Sequence, residues 1–312
     1  MTDYSKLIDA ETWAFIDRTN AFYPPETVSF TIEQQRAVYD EMCTAFRATC
    51  PKGVTAHDTV IDAGDHAIPV RIYDSVAEPA ALVVYYHGGG GVVGGLDSHD
   101  DACAEICGQT GYRVVSVDYR LCPEHIHPAA FEDALAGFRW AAENFAGPIL
   151  LAGDSEGARH AAAVAHAIRK DPCPPAGQVL LYPWLGADMT KGSYVTHAEA
   201  PMLTTRDLEF YRDIRAGGAD TSHDPTATPL ADTDFSNLPP TVIFSAECDP
   251  LCDDGRDYRD RLLTAGGKAV WFREKGLVHG YLRARHSVER ARASFTRIVG
   301  AIRALGQGDW PY

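Results

Sequence analysis

The sequence predicts an α/β protein with a mostly parallel, eight-stranded sheet, helices on both faces of that sheet, and a helical cap. Two patterns predict this class: short apolar runs typical of buried parallel strands, and longer helical stretches that alternate with them. The size of the chain agrees with it, because 312 residues with 46% hydrophobic and 23% charged side chains can bury a large core.

The first fifty residues predict two helices ahead of any strand. They are Ser5–Arg18, which carries apolar residues at helical spacing, and Thr31–Cys50. A β-hairpin follows, with strands Val54–Ile61 and Ile68–Tyr73 on either side of a glycine-containing turn.

Strands and helices then alternate to the end of the chain. The predicted strands are Ala81–Tyr86, Val114–Tyr119, Ile149–Ala152, Val179–Pro183, Thr241–Ala246 and Ala269–Phe272. The predicted helices are Ser98–Gly108, Ala129–Asn144, Glu156–Lys170, Asp253–Ala265 and His286–Leu305.

One long interval, Gly186–Leu238, interrupts this alternation. It has no strand pattern, polar flanks and one helical stretch at Thr204–Arg215. So long a departure inside a compact domain is usually functional, which favours a lid or cap, although a surface excursion without function stays open. We therefore expect an N-terminal helical cap segment over 1–50, a core over 51–185 and 226–312, and a cap insertion over 186–225.

Charge and hydropathy exclude several classes of protein. The chain has 28 Lys and Arg against 43 Asp and Glu, a net charge of −15, which argues against nucleic-acid binding. Residues 1–20 contain four acidic side chains and no apolar segment of the signal-peptide kind. The longest apolar run, Ala80–Tyr86, is far shorter than the roughly 20 residues that span a bilayer. We expect a cytoplasmic protein without a membrane or nucleic-acid partner, and the sequence leaves a homodimer open.

The eight cysteines do not predict a disulfide framework or a metal centre. Cys103 and Cys107, like Cys248 and Cys252, are four residues apart, whereas zinc sites usually contain closer Cys-x-x-Cys pairs. His99 precedes Cys103 by one helical turn, but we interpret these thiols as reduced, buried apolar groups. We expect no metal and no cofactor.

A Gly-x-Ser-x-Gly motif at Gly153–Gly157 is the first sign of chemistry. It follows an apolar strand and precedes an alanine-rich helix, so Ser155 would lie at the apex of a sharp strand-to-helix turn. Side chains at Gly153 or Gly157 would collide with neighbouring backbone there. The pattern predicts a nucleophilic serine.

Four successive glycines after a buried strand, in His87-Gly-Gly-Gly-Gly91, are the second sign. Such a loop brings backbone N–H groups close to a ligand without intervening side chains, as an oxyanion hole requires. The N–H group of Glu156, which follows the serine, would complete the set. A merely flexible turn would rarely need four glycines.

A nucleophilic serine also needs a general base. His279 is the best candidate among the 12 histidines, because it lies in a loop between the last strand and the last helix. His286 falls within the predicted last helix, and His160 and His166 fall within the helix after the serine, where packing or solvation is the more ordinary role.

An acid must orient the base, and Asp249 follows the apolar strand Thr241–Ala246 directly. The carboxyl edge of a parallel sheet is where α/β proteins place functional groups. Asp253 and Asp254 are the alternatives, and we expect them to begin the next helix.

With these residues identified, the chain resembles the hormone-sensitive-lipase-like family of bacterial carboxylesterases, which has the α/β-hydrolase fold and the chain order Ser, Asp, His. The matching stretches are His87–Gly90, Asp97–Asp100, Asp118–His125 with Pro128–Ala130, Gly153–Gly157, Leu238–Pro240, Asp249–Gly255 and His279–Gly280. The resemblance implies a cap made from the N-terminal helices and the Gly186–Leu238 interval. It also implies oxyanion donors at Gly88, Gly89 and Glu156.

Three positions depart from the family pattern. Glu156 stands where a small residue is usual, and Ala158 stands where glycine is frequent. Gly91 replaces a frequent aromatic residue, which removes bulk beside the oxyanion loop. We expect the Glu156 side chain to point away from the site, toward solvent or a cationic partner.

The predicted function is that of a serine carboxylesterase acting on small, short- to medium-chain esters through an acyl-enzyme intermediate. Two alternatives stay open at this point. One is a non-catalytic small-molecule-binding module, since plant hormone receptors resemble the family but have lost the catalytic histidine. The other is a hydrolase of lactones, amides or acetylated sugars.

Overall fold

A single eight-stranded sheet organises the protein, whose computed structural model describes residues 2–24 and 30–312. Residues 1 and 25–29 of the predicted N-terminal cap segment lie outside the described residues. The strands are β1 (Thr55–Asp62), β2 (Ala67–Asp74), β3 (Leu82–Tyr86), β4 (Arg113–Val117), β5 (Ile149–Asp154), β6 (Gly177–Leu181), β7 (Thr241–Cys248) and β8 (Ala269–Val278).

The spatial order of the strands is β1-β2-β4-β3-β5-β6-β7-β8. β2 pairs antiparallel with both β1 and β4, and every other neighbouring pair is parallel. The predicted α/β class with a mostly parallel, eight-stranded sheet is confirmed.

Helices cover both faces of this sheet. They are α1 (Ala10–Asn20), α2 (Ile32–Phe46), α3 (Asp100–Thr110), α4 (Ala129–Asn144), α5 (Glu156–Ile168), α6 (Ser193–Thr196), α7 (Thr205–Ala216), α8 (Cys252–Thr264) and α9 (Glu289–Gly306). Among the described residues, none of these helices combines the length and the apolar character needed to span a membrane.

Helix ends differ from the prediction where capping residues decide them. The predicted helix Ser5–Arg18 is divided into a 3₁₀ turn and α1, because Asp9 is extended and its carboxylate accepts the Thr12 N–H at 2.9 Å. The last helix begins at Glu289 rather than His286, because Val288 is extended and His286 ends a separate 3₁₀ turn, Tyr281–His286.

Alternate residues of the central strands fill two apolar layers, as the pleat requires. On β3, Val83 packs into the layer that α1, α3 and α9 cover, and Val84 packs into the layer under α4, α5 and α8. Cys103 and Cys107 are buried in the first layer. Among the described residues, no group of three or more His, Cys, Asp or Glu side chains is arranged to hold a metal ion.

The interval Gly186–Leu238, described throughout, contains α6, α7 and a 3₁₀ turn but no strand. Tyr211 and Ile214 of α7 pack on Val92 and Val93, which follow β3, and α2 packs on the same small apolar cluster. An N-terminal helix and a helix of the interval therefore lie over the same loop at the carboxyl edge of the sheet.

Two helical glycines allow a test of this packing. Gly300 of α9 is exposed and a methyl group there would meet nothing within 4 Å, so Gly300→Ala should raise the free energy of unfolding by about 0.5–1 kcal/mol. At buried Gly137 of α4, an added methyl carbon would lie 2.8 Å from Val117 Cγ2. Gly137→Ala should therefore lower the free energy of unfolding by about 1–3 kcal/mol. Denaturant titration measures both values, and equal effects would contradict the packing.

Candidate active site

Ser155 lies at a sharp turn between β5 and α5, with φ of 53° and ψ of −117°. A side-chain carbon on Gly157 would lie 1.9 Å from the Tyr86 carbonyl oxygen, and one on Gly153 would lie 2.6 Å from the same atom. The collision predicted for both glycines is therefore present, and it explains why this turn needs them.

Three side chains from three strand ends meet at this turn. His279 Nε2 lies 2.8 Å from Ser155 Oγ, and His279 Nδ1 lies 2.7 Å from Asp249 Oδ2. Because a carboxylate only accepts, Nδ1–H donates to Asp249 and Nε2 accepts from the serine hydroxyl. Asp249 is fully buried, and its other oxygen accepts the Leu251 N–H at 2.9 Å.

The other candidate histidines contact carboxylates or arginine away from Ser155. The imidazole of His286 is half-exposed, with Nε2 2.7 Å from Glu105 Oε1. His166 Nδ1 lies 2.7 Å from Asp232 Oδ2, and fully buried His160 contacts the guanidinium of Arg159.

The carboxylates of the two alternative acids accept backbone N–H groups instead of contacting His279. Asp253 accepts the Ser193 N–H at 3.0 Å, and Asp254 accepts the Leu185 N–H at 2.7 Å. Burial raises the pKa of Asp254 to about 7. Both residues lie in the first turn of α8, as expected.

The glycine loop differs from the prediction in one donor. The Gly88 N–H already donates to Asp154 Oδ1 at 3.0 Å, so the expectation that Gly88 supplies an oxyanion donor is corrected. The N–H groups of Gly89, Gly90 and Glu156 donate to no acceptor within residues 2–24 and 30–312. These three amides are therefore available to a ligand.

Asp154 joins this loop to the turn that carries Ser155. Besides the Gly88 amide, its carboxylate accepts hydroxyls from Tyr85 at 2.9 Å and Tyr182 at 3.2 Å. Its burial would raise its pKa, but His99, 3.2 Å away, the charge of Arg283 and the Tyr85 hydroxyl hold the pKa well below the usual range. The ring of Tyr182 also packs edge-on against His279, with centroids 4.9 Å apart.

Glu156 is fully buried rather than directed to solvent. Its Oε1 accepts from the Arg159 guanidinium, and its Oε2 accepts from Arg215 Nη1 at 3.0 Å. Burial would raise the pKa of Glu156, but the two arginines hold it well below its usual range. The expected cationic partner is thus present twice, while the alternative of a solvent-facing carboxylate is wrong.

Helix α7 contributes residues that the motifs did not identify. Arg215 lies over the ring of Trp184, 4.4 Å from its centroid. One turn earlier, the Tyr211 ring lies so close to Gly90 that a side-chain carbon there would approach it to 2.6 Å. A carbon on Gly91 would lie 3.3 Å from Glu156 Oε1, so the Glu156 carboxylate lies beside the position where an aromatic residue is missing.

The chain is similar to known proteins in both sequence and structure. The model of an α/β-hydrolase-fold family matches residues 83–283. Carboxylesterase NlhH of Mycobacterium tuberculosis is 38% identical over 248 residues, which cover 76% of this chain and 78% of that protein. Ethyl acetate hydrolase of Pseudomonas putida is 34% identical over 250 residues, with the same two coverages.

A solved structure agrees over nearly the whole chain. The hyperthermophilic esterase of Pyrobaculum calidifontis superposes with a TM-score of 0.89 at 30% identity, and the match covers 96% of this chain and 99% of that one. The chain therefore belongs to the hormone-sensitive-lipase-like carboxylesterases of the α/β-hydrolase fold, and it is a serine ester hydrolase.

Proposed function

We propose that the protein is a carboxylesterase for short- to medium-chain esters in which Ser155 is the nucleophile, His279 the general base and Asp249 the orienting acid. The observation that carries the proposal is the continuous hydrogen-bond chain from Ser155 Oγ through His279 to Asp249. It is the arrangement that activates a serine hydroxyl, which is otherwise a weak nucleophile at neutral pH.

In the first step, Ser155 Oγ forms a bond to the ester carbonyl carbon while its proton passes to His279 Nε2. The carbonyl π pair moves onto oxygen and gives a tetrahedral oxyanion. Asp249 keeps Nδ1 protonated and stabilises the imidazolium that results. The alcohol leaves when the oxyanion collapses and His279 returns the proton to the alcohol oxygen.

We assign the oxyanion donors to the N–H groups of Gly89, Gly90 and Glu156. These amides are unoccupied, whereas the Gly88 amide is held by Asp154. Fixed donors of this kind stabilise the transition state because no reorganisation is needed as charge develops. The same donors serve again when water, deprotonated by His279, attacks the acyl-enzyme and releases the acid.

We further propose that residues 1–50 and 186–225 act as the cap over this site. In support, α2 and α7 pack on the loop that follows β3, which contains the glycine donors. A cap limits the length of the acyl chain that can be enclosed. The ester whose name the Pseudomonas putida relative carries, ethyl acetate, is small.

Substitution of the nucleophile tests the mechanism. Ser155→Ala should lower kcat about 10⁴- to 10⁶-fold, because the acyl-enzyme can no longer form. An organophosphonate should add to one residue, Ser155, identified by peptide mass mapping. Labelling of another serine, or near-normal turnover by the folded variant, would overturn the assignment.

A pair of histidine variants serves as the control. His279→Ala should lose activity to a similar extent, because the proton has no acceptor. His286→Ala should retain most activity, because that half-exposed side chain contacts Glu105 and not the serine.

Substitution of Glu156 separates its amide from its carboxylate. Glu156→Gln leaves Arg159 and Arg215 buried without a counter-charge, so the free energy of unfolding should fall by about 3–5 kcal/mol. The backbone N–H survives, so kcat of the folded fraction should stay within about tenfold. A loss of about 10²–10³ in kcat, the cost of a missing oxyanion donor, would assign a catalytic role to the carboxylate.

Acyl-chain length tests the proposed substrate class. We expect esters from acetyl to hexanoyl to be preferred, with graded changes, because a methylene in an apolar pocket contributes about 1–3 kcal/mol at most. Chromogenic esters of rising length measure kcat/KM, and lactones, anilides and acetylated sugars in the same panel test the alternative substrates. A higher kcat/KM on sixteen-carbon than on four-carbon esters would contradict the proposal.

A further inference from the structure

Arg283 lies four residues after His279, in the 3₁₀ turn Tyr281–His286. Its Nη2 donates to the Tyr39 hydroxyl and lies 3.3 Å from Cys43 Sγ, both on α2. The guanidinium carbon lies 4.9 Å from the centroid of the Tyr39 ring. The side chain thus bridges the loop that carries the base and the N-terminal helix over the site.

This guanidinium forms no ion pair with any residue that the structure describes. Three buried arginines differ from half-buried Arg283 in this respect: Arg159 and Arg215 share Glu156, and Arg285 contacts Asp101 and Glu105. Within the described ranges, Nε and Nη1 of Arg283 have no acceptor at all. Shielding a cation from water without a directly bonded counter-charge costs free energy, which a bound anion would offset.

Arg283 contacts Tyr39, which packs against Val92 and Val93 just after the glycine loop. Its electrostatic neighbours include Asp154 and Tyr182, and the Tyr182 ring packs against His279. Asp154 does not neutralise it by contact, because the oxygens of Asp154 already accept from Gly88, Tyr85 and Tyr182 and lie beside His99. The Asp154 carboxylate is therefore hydrogen-bonded elsewhere, although its charge still acts on Arg283.

The side chains around Arg283 keep some contact with solvent. Arg283 itself, Tyr39 and Tyr23 are all half-buried, as is Tyr211 over the glycine loop. Burial nevertheless raises the pKa of Tyr211 to about 12. These four side chains are therefore largely covered by protein and still reach solvent.

We propose that Arg283 binds a carboxylate carried by the substrate, so that this esterase is specific for monoesters with a second, ionised carboxyl group. The inference deepens the proposed function and rests on it. The planar guanidinium suits a carboxylate because its N–H groups can donate to both oxygens at once. Arg283 would contribute to substrate binding and would take no part in bond cleavage. The ester bond would face Ser155 and the carboxylate would point toward α2.

The first test compares isosteric substrates on the unaltered protein. Monoethyl succinate carries the carboxylate on the acyl arm, and ethyl succinamate replaces it with a neutral amide. Acetoxyacetate and acetoxyacetamide make the same comparison on the alcohol arm. We expect kcat/KM to favour the carboxylate about 10- to 100-fold on one arm, mainly through KM, as is usual for hydrogen bonds to a charged group.

Variants assign that preference to Arg283. Arg283→Gln should reduce the carboxylate-to-amide ratio of kcat/KM to near one, and Arg283→Lys should keep part of it, because the charge remains without the planar fork. Arg206→Gln is the matched control: Arg206 is exposed on α7, so its substitution removes one positive charge and should leave the ratio unchanged. The ratio of the kcat/KM values for two substrates does not depend on the fraction of enzyme that folds, because both values change in proportion to it.

Each outcome decides a different claim. If neutral esters are hydrolysed and neither arm prefers the carboxylate, the role of Arg283 is overturned while the esterase function stands. A preference that Arg206→Gln abolishes as fully as Arg283→Gln would also overturn it. If Arg283→Gln fails to fold, the ratio in unaltered protein and in Arg283→Lys remains decisive. Absence of turnover on every ester would overturn the proposed function itself.

Discussion

The geometry of the site depends on how closely the turn after β5 approaches the end of β3. Gly157 lies against the Tyr86 carbonyl so tightly that no side-chain carbon fits. Ser155 is held at a positive φ, a conformation that costs about 1–3 kcal/mol in a non-glycine residue and persists when the surroundings over-determine it. Because Tyr86 is followed directly by the glycine loop, this one contact sets the distance between the serine and the amide donors.

The sequence predicts those features of the site that depend on residues close together along the chain. The turn glycines, the strand ends before Asp249 and His279, and the family resemblance all led to side chains that the structure brings together. The direction of an amide inside the glycine loop was different. It depends on dihedral angles such as the φ of 130° at Gly89 and on an acceptor, Asp154, in another strand, so the Gly88 donor was predicted wrongly.

Two departures from the family pattern explain each other once the contacts are known. Gly91 lacks a side chain, and the carboxylate of Glu156 lies 3.3 Å from where one would begin. The sequence could indicate Arg159 as a partner of Glu156, because residues three apart share a helix face. Arg215 comes 59 residues later, from a helix whose placement follows from tertiary packing alone.

The two helices over the site, α7 and α2, make different electrostatic contacts. The contact of α7 positions a helix, whereas the contact of α2 leaves a group that can bind a ligand. Arg215 of α7 shares the Glu156 carboxylate, so an ion pair within the protein holds its position. Replacing buried charges by apolar groups is often neutral or stabilising, so such a cluster is better explained by the geometry it imposes than by stability. The contact of α2 with Arg283 is a cation against a tyrosine ring and hydroxyl, with no acid among the described residues. That contact leaves Arg283 without a directly bonded counter-charge, and an anionic substrate would supply one.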